Sequence, residues 1–218
     1  SNVPELYPNG YRPTTRGDMT DVSVVAGLRF ASGPWNWDLS ARHGGNEFHY
    51  DLANSVNASL GAASPTRFHL STFDYDQNAV NADLTRELDL GIGAPVNLAL
   101  GAEYVRETYT SSPGDPASYA AGNVPGTPPG AQAGPGLRPQ DTFDGSRSLR
   151  SVYADIESDL TSRLLVGLAA RYSDYSDFGN ASTGKLSARY KLSDTFLVRG
   201  SLSNSFRAPA LVQTGFRF

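Results

Sequence analysis

The feature that most constrains this chain is an alternation of apolar and polar residues with a period of two. Over 22–30, Val24, Ala26, Leu28 and Phe30 alternate with Ser23, Val25, Gly27 and Arg29. The same rhythm returns over 35–43, 79–90, 95–109, 148–160, 163–175, 184–192 and 196–206. Successive side chains of a strand point to opposite faces, so each stretch reads as a strand with one apolar face. The stretch 66–75 either extends the third strand or forms a piece of its own. About eight or nine strands result, and the expected class is all-β and antiparallel.

The connections alternate in length. Short ones fall at Ala31–Pro34, Gly91–Pro95, Thr161–Ser162 and Ser193–Thr195, and long ones at about 44–78, 110–147 and 176–183. The 110–147 segment is rich in Pro, Gly and Ala and is expected to be a mobile loop. Short turns at one end and long loops at the other suit an up-and-down transmembrane β-barrel, whose apolar face meets lipid and whose polar face lines a lumen. A soluble sandwich would instead bury the apolar face between two layers.

Strands of 9–14 residues suffice to cross a bilayer when tilted. Phe30, Trp35 and Phe196 lie beside short turns, and Tyr104, Tyr172 and Phe206 lie toward long loops, as two aromatic girdles would. The opposite face carries both signs of charge: Asp155, Glu157 and Arg171 with Lys185, Arg189 and Arg199. Arg86 breaks the pattern, sitting on the apolar face between Leu84 and Leu88. At mid-membrane it would cost about 2–4 kcal/mol; near the Gly91–Pro95 turn it is placed to snorkel to the interface.

Composition narrows function by exclusion. The 218 residues carry a net charge of −4 with scattered basic residues, so no nucleic-acid partner is expected. There are no cysteines, which excludes disulfides, thiolate nucleophiles and cysteine-bound metals. Ser1-Asn2-Val3-Pro4 does not read as a signal peptide, so the chain is expected to be processed or to lie inside a longer protein.

In the last fifth, Tyr172-Ser173-Asp174-Tyr175-Ser176-Asp177-Phe178-Gly179 precedes Lys185-Leu186-Ser187-Ala188-Arg189-Tyr190, and Val198 to Leu211 includes Phe206-Arg207-Ala208-Pro209. This order resembles the mid-barrel signature of TonB-dependent outer-membrane receptors. Leu6-Tyr7-Pro8-Asn9-Gly10, Trp35-Asn36-Trp37-Asp38-Leu39-Ser40 and Ala99-Leu100-Gly101-Ala102-Glu103-Tyr104-Val105-Arg106 extend the likeness nearly end to end. The resemblance implies a barrel of about 22 strands in the bacterial outer membrane, filled by a plug domain. It implies uptake of a scarce nutrient (siderophore, cobalamin, metal chelate or glycan), driven through TonB.

No plug and no TonB box are recognised, so residues 1–218 are expected to form a middle part of such a barrel. Phe216-Arg217-Phe218 is similar to the closing strand of many outer-membrane proteins. A closed eight-stranded barrel with an adhesion or structural role is therefore the alternative.

Candidate sites are sparse. His43, His49 and His69 show no metal-ligand spacing, and neither H-E-x-x-H nor G-x-S-x-G occurs. No catalytic group, metal or cofactor is expected, and the chain reads as a non-enzyme. Asp174, Asp177 and Asn180 crowd one loop end as calcium ligands or, more simply, as solvated turn residues. Arg207 is a candidate for an anionic ligand or for a structural contact with a loop or plug. Asp155, Glu157, Arg171 and Arg199 are the lumen-facing charges, set to touch a plug or to pair with one another. Asn57-Ala58-Ser59 and Asn180-Ala181-Ser182 match glycosylation sequons.

Overall fold

The computed structural model describes residues 3–91 and 94–215. Eight strands form one antiparallel sheet in chain order. They are β1 (Thr14–Ser32), β2 (Trp35–Ala53), β3 (Arg67–Leu88), β4 (Val96–Pro113), β5 (Asp144–Asp159), β6 (Leu164–Tyr175), β7 (Gly179–Lys191) and β8 (Leu197–Ser203). Each strand pairs with the next, and among the described residues no pairing joins β1 to β8. The sheet is therefore an open ribbon, and the closed eight-stranded alternative is not what these strands adopt. The terminal Phe216-Arg217-Phe218 motif lies outside the described residues.

Register keeps one face apolar across the sheet. The row Phe30, Trp37, Leu84 and Leu100 continues into Ala154 and Ala170. No second layer covers it: Val24 is 60% exposed, Leu168 51%, Leu186 49% and Leu202 76%. A sandwich core is thereby excluded. On β1 the apolar positions run from Val22 to Phe30, about 26 Å along the strand. At a tilt of ~40° this spans roughly 20 Å, close to the apolar belt of an outer-membrane barrel.

Several strands run well past this belt. β2 has 19 residues, β3 22 and β4 18, against the ~9–11 a bilayer requires. Beyond Val22 and Val80 the formerly apolar face turns polar through Thr20, Glu47, Asp74 and Asp76. Residues 44–53 and 67–78, expected to be loop, are thus ladder, and the 66–75 stretch belongs to β3 from Arg67 onward. A bulge between Tyr50 and Asp51 sets Leu70 as the extra residue.

The long connections shrink accordingly. The first is 54–66, containing a 3₁₀ turn over Ala58–Ala63; the second is 114–143, with α1 (Pro116–Tyr119). The third is only 176–178, because β7 begins at Gly179. Of the short turns, Gly33-Pro34 joins β1 to β2, with Gly33 at φ +57°. Ser193–Thr195 is closed by the Leu192 amide donating to the Phe196 carbonyl at 2.9 Å. α2 (Leu211–Gly215) follows β8 and packs against β4 and β5.

Candidate functional site

Opposite the apolar belt the sheet carries a polar face, and its chemistry changes with height. Level with the belt, Tyr153 on β5 lies across Gly101 on β4, its ring filling the space a Cβ would need. Its hydroxyl donates to Asp83. Arg171 sits 5.5 Å from the Tyr153 ring centre, pairs with Glu103 and donates to Ser173 Oγ at 3.2 Å. The missing side chain of Gly101 makes room for the ring, as aromatic cover of a strand glycine does.

Higher up, Arg147 on β5 is a hub, its side chain only 8% exposed. It donates to Glu107 from Nε at 3.1 Å and from Nη2 at 2.6 Å. Nη1 donates to the Pro209 carbonyl at 2.7 Å and stands 3.6 Å from Asp177. The guanidinium lies 5.7 Å from the Tyr175 ring centre. Glu107 also accepts from Tyr75 at 2.7 Å and Gln77 at 3.1 Å. These residues stand beyond the apolar belt. Burial opposes ionisation of Glu107, but the bonds from Tyr75, Arg147 and Gln77, with the Arg147 charge, outweigh it and hold the carboxyl below its ordinary range. Burial, together with the Glu107 bond and charge, pushes the Tyr75 phenol up to about 12.

Above the hub runs a row of half-buried rings. Phe48 and Phe73 lie 6.3 Å apart, Phe73 and Tyr109 6.4 Å, Tyr109 and Phe143 6.1 Å, and Tyr50 joins Phe48 at 6.1 Å. Phe48 covers Gly17, and Phe143 covers Gly145.

The 114–143 connection folds over this face. Ala131 joins the buried cluster of Leu52, Phe68 and Leu70. The Leu137 amide donates to the Leu70 carbonyl at 2.8 Å, and the Asp115 amide to the His69 carbonyl at 2.8 Å. Asn57, fully buried, donates to the Ala117 and Ala120 carbonyls, each at 2.8 Å, and accepts from Ser59. The segment expected to be a mobile loop is therefore tied down by backbone bonds, and the first sequon is closed to a glycan by its burial. Val3, with Leu6, Tyr7 and Tyr11, packs on Val56 and Ala58, and burial followed by the Tyr7 charge raises the Tyr11 phenol.

Asp174 and Asp177 do not converge. Asp174 shares the other face with Asn180 and Arg150, whereas Asp177 turns to Arg147. Arg207 is exposed, and no ion pair holds it among the described residues. Arg171 pairs with Glu103 rather than with the charges expected. Asp155, Glu157 and Arg199 stand on the polar face outside any ion pair among the described residues, and Arg199 faces Arg189. Phe206 leaves the girdle expected for it, its ring packing at a tilt against Tyr175 and Phe178 at 5.9 and 5.5 Å between centres.

On the opposite face, beyond the belt, Thr72 bridges His49 and His69, with Glu47 and Asp51 at the two ends. No cluster suited to a metal occurs among the described residues. The hub and the ring row were not anticipated. Their signal was the alternation of Asn46, Phe48, Tyr50 and Leu52, and of Val105, Glu107, Tyr109 and Ser111, in opposite phase to the belt.

Residues 2–218 match the family described as TonB dependent receptor-like, beta-barrel. The chain is similar to the ferric enterobactin receptor PirA of Pseudomonas aeruginosa, 28% identical over 176 residues, covering 78% of this chain and 21% of the receptor. Among solved structures, the siderophore receptor PirA of Acinetobacter baumannii superposes with a TM-score of 0.61 at 18% identity, over 88% of this chain and 26% of that one. The unliganded ferric citrate transporter FecA gives 0.54 at 12% identity, over 88% and 28%. The chain thus spans between about a fifth and just over a quarter of the length of these relatives.

Proposed function

The chain belongs to the TonB-dependent receptor β-barrel family, and from that premise we propose that it forms part of the wall of an outer-membrane importer of ferric siderophores. Its apolar face lies against lipid. Its polar face lines the lumen, and the ring row and the folded 54–66 and 114–143 connections stand at the extracellular mouth. Within the lumen Asp155, Glu157, Arg171 and Arg199 face the plug, and energy comes from the inner membrane through TonB. Arg207, on the segment that Arg147 holds by the Pro209 carbonyl, lies in reach of an anionic chelate.

The observation that carries this reading is the row from Phe48 through Phe73 and Tyr109 to Phe143, on the face opposite the apolar belt and beyond it. Aromatic rings stack on planar aromatic or catechol-type groups at ~0.5–1.5 kcal/mol each, and a preformed row spends little ordering entropy on capture. The similar Pseudomonas aeruginosa PirA is a ferric enterobactin receptor, which supports that class over cobalamin or glycans.

The test is iron-55 uptake from a ferric catecholate by cells whose sole receptor for it is the intact protein carrying this chain. Phe48→Ala with Phe73→Ala should lower affinity about tenfold while leaving the receptor in the outer-membrane fraction. Unchanged uptake in the double variant would refute the role of the rings.

A further inference from the structure

Arg86 stands on the lipid-facing side of β3, with Leu98 as its Cα partner on β4. Its guanidinium lies 5.5 Å from the ring centre of Trp35 on β2. Its Nε is buried and has no hydrogen-bond partner. Arginine offers five N–H donors in a planar fork and keeps its charge at any physiological pH. Arg86 spends none of them on a hydrogen bond or ion pair with a described residue.

The carboxylates nearby are committed elsewhere. Glu87 points to the opposite face, and Asp89 accepts from the Gly91 amide at 3.0 Å. No other strand can bring an acceptor, because β3 is already flanked on both sides by β2 and β4. The missing acceptor must come from whatever the apolar face touches.

Depth decides what that is. Arg86 lies two residues before the end of β3 at Leu88, at the short-turn edge of the belt. The Phe30–Trp37 stack, at 5.8 Å, flanks it on the same face. Aromatic side chains mark the level of the headgroups, and short turns lie on the periplasmic side. At that level the available acceptor is the phosphate diester of a phospholipid, which an arginine fork grips with paired charge-assisted bonds.

We propose that Arg86 and Trp35 form a headgroup site for a phospholipid of the periplasmic leaflet. The guanidinium donates to the phosphate oxygens, the indole fixes the guanidinium plane, and the acyl chains run up over Leu84 and Leu100. This rests on the membrane placement proposed above.

The experiment uses the intact protein that carries this chain, in phosphate-free detergent buffer charged with phosphatidylglycerol. Native mass spectrometry counts the lipids retained. Wild type should keep one phosphatidylglycerol that Arg86→Gln holds about tenfold more weakly. Arg86→Lys, which keeps the charge but loses the fork, should fall between them. Arg29→Gln, a charge change on the polar face, should leave retention unchanged. Equal retention by wild type and Arg86→Gln overturns the site, and so does displacement of the lipid by excess inorganic phosphate. Insertion into phosphatidylethanolamine–phosphatidylglycerol vesicles is read separately from heat-modifiable gel migration. Failure of wild type to insert overturns the membrane placement itself, whereas equal insertion with equal retention overturns the headgroup site alone.

Discussion

Replacing Arg147 by methionine tests how the upper wall is held. The substitution keeps a long apolar stem but removes two bonds to Glu107, one to the Pro209 carbonyl and the approach to Asp177. Breaking a buried pair by deleting one partner costs about 3–5 kcal/mol, because the remaining charge is stranded. Here Glu107 keeps Tyr75 and Gln77 as donors, so the lower end, about 3 kcal/mol, is expected. Arg147→Met combined with Glu107→Leu removes the stranded charge and should recover at least half of that loss. The assay is urea unfolding of the intact receptor in micelles, followed by tryptophan fluorescence. Hydrogen exchange of 204–215 should rise in the single variant as that segment is released. A cost below about 1 kcal/mol, or a double variant as unstable as the two single losses added, would refute the hub.

Three further outcomes are expected. Asn57→Ala leaves the Ala117 carbonyl without its donor, takes one donor from the Ala120 carbonyl and removes the acceptor of Ser59, and should cost about 2–4 kcal/mol; hydrogen exchange over 114–125 would rise first. Leu168→Arg, at the middle of the belt, should cost about 2–4 kcal/mol in vesicles, whereas Ser187→Arg on the polar face should be nearly neutral; equal costs would contradict the assignment of faces. Glu107 has a lowered carboxyl pKa in the folded protein, so its contribution is complete above the ordinary carboxylate range and is lost as pH falls through the folded value. Acid titration of wild type should therefore loosen 204–215, and the Glu107→Gln variant should lose that response.

The belt was legible because lipid enforces one rule over many residues. Val24 to Phe30 and Leu164 to Tyr172 alternate in phase, and the short turns could be placed by requiring that phase to continue. The upper strands escaped the same reasoning for a physical reason. Above the belt the outer face meets water and the inner face carries rings, so the apolar phase reverses: Trp35 to Ala41 are apolar at odd positions, Phe48 to Leu52 at even ones. A search for one sustained phase reads that reversal as the end of the strand. The hub was out of reach because Glu107 and Arg147 are 40 residues apart and meet only through the β4–β5 register. Asp174 and Asp177 misled because neighbours in sequence separate at a strand end, one outward and one toward Arg147.

The overshoot of β2, β3 and β4 gives the mouth of this wall the stiffness of a comb rather than of a fringe. Its teeth are spaced by backbone geometry, about 4.8 Å between strands and about 6.7 Å between like-facing residues of one strand. On the importer reading proposed above, cargo would be measured against a ruler instead of being embraced by a flexible rim. Inserting a single residue above Val80 would turn Phe73 outward while leaving the greasy girth below untouched, separating recognition from anchorage within one strand.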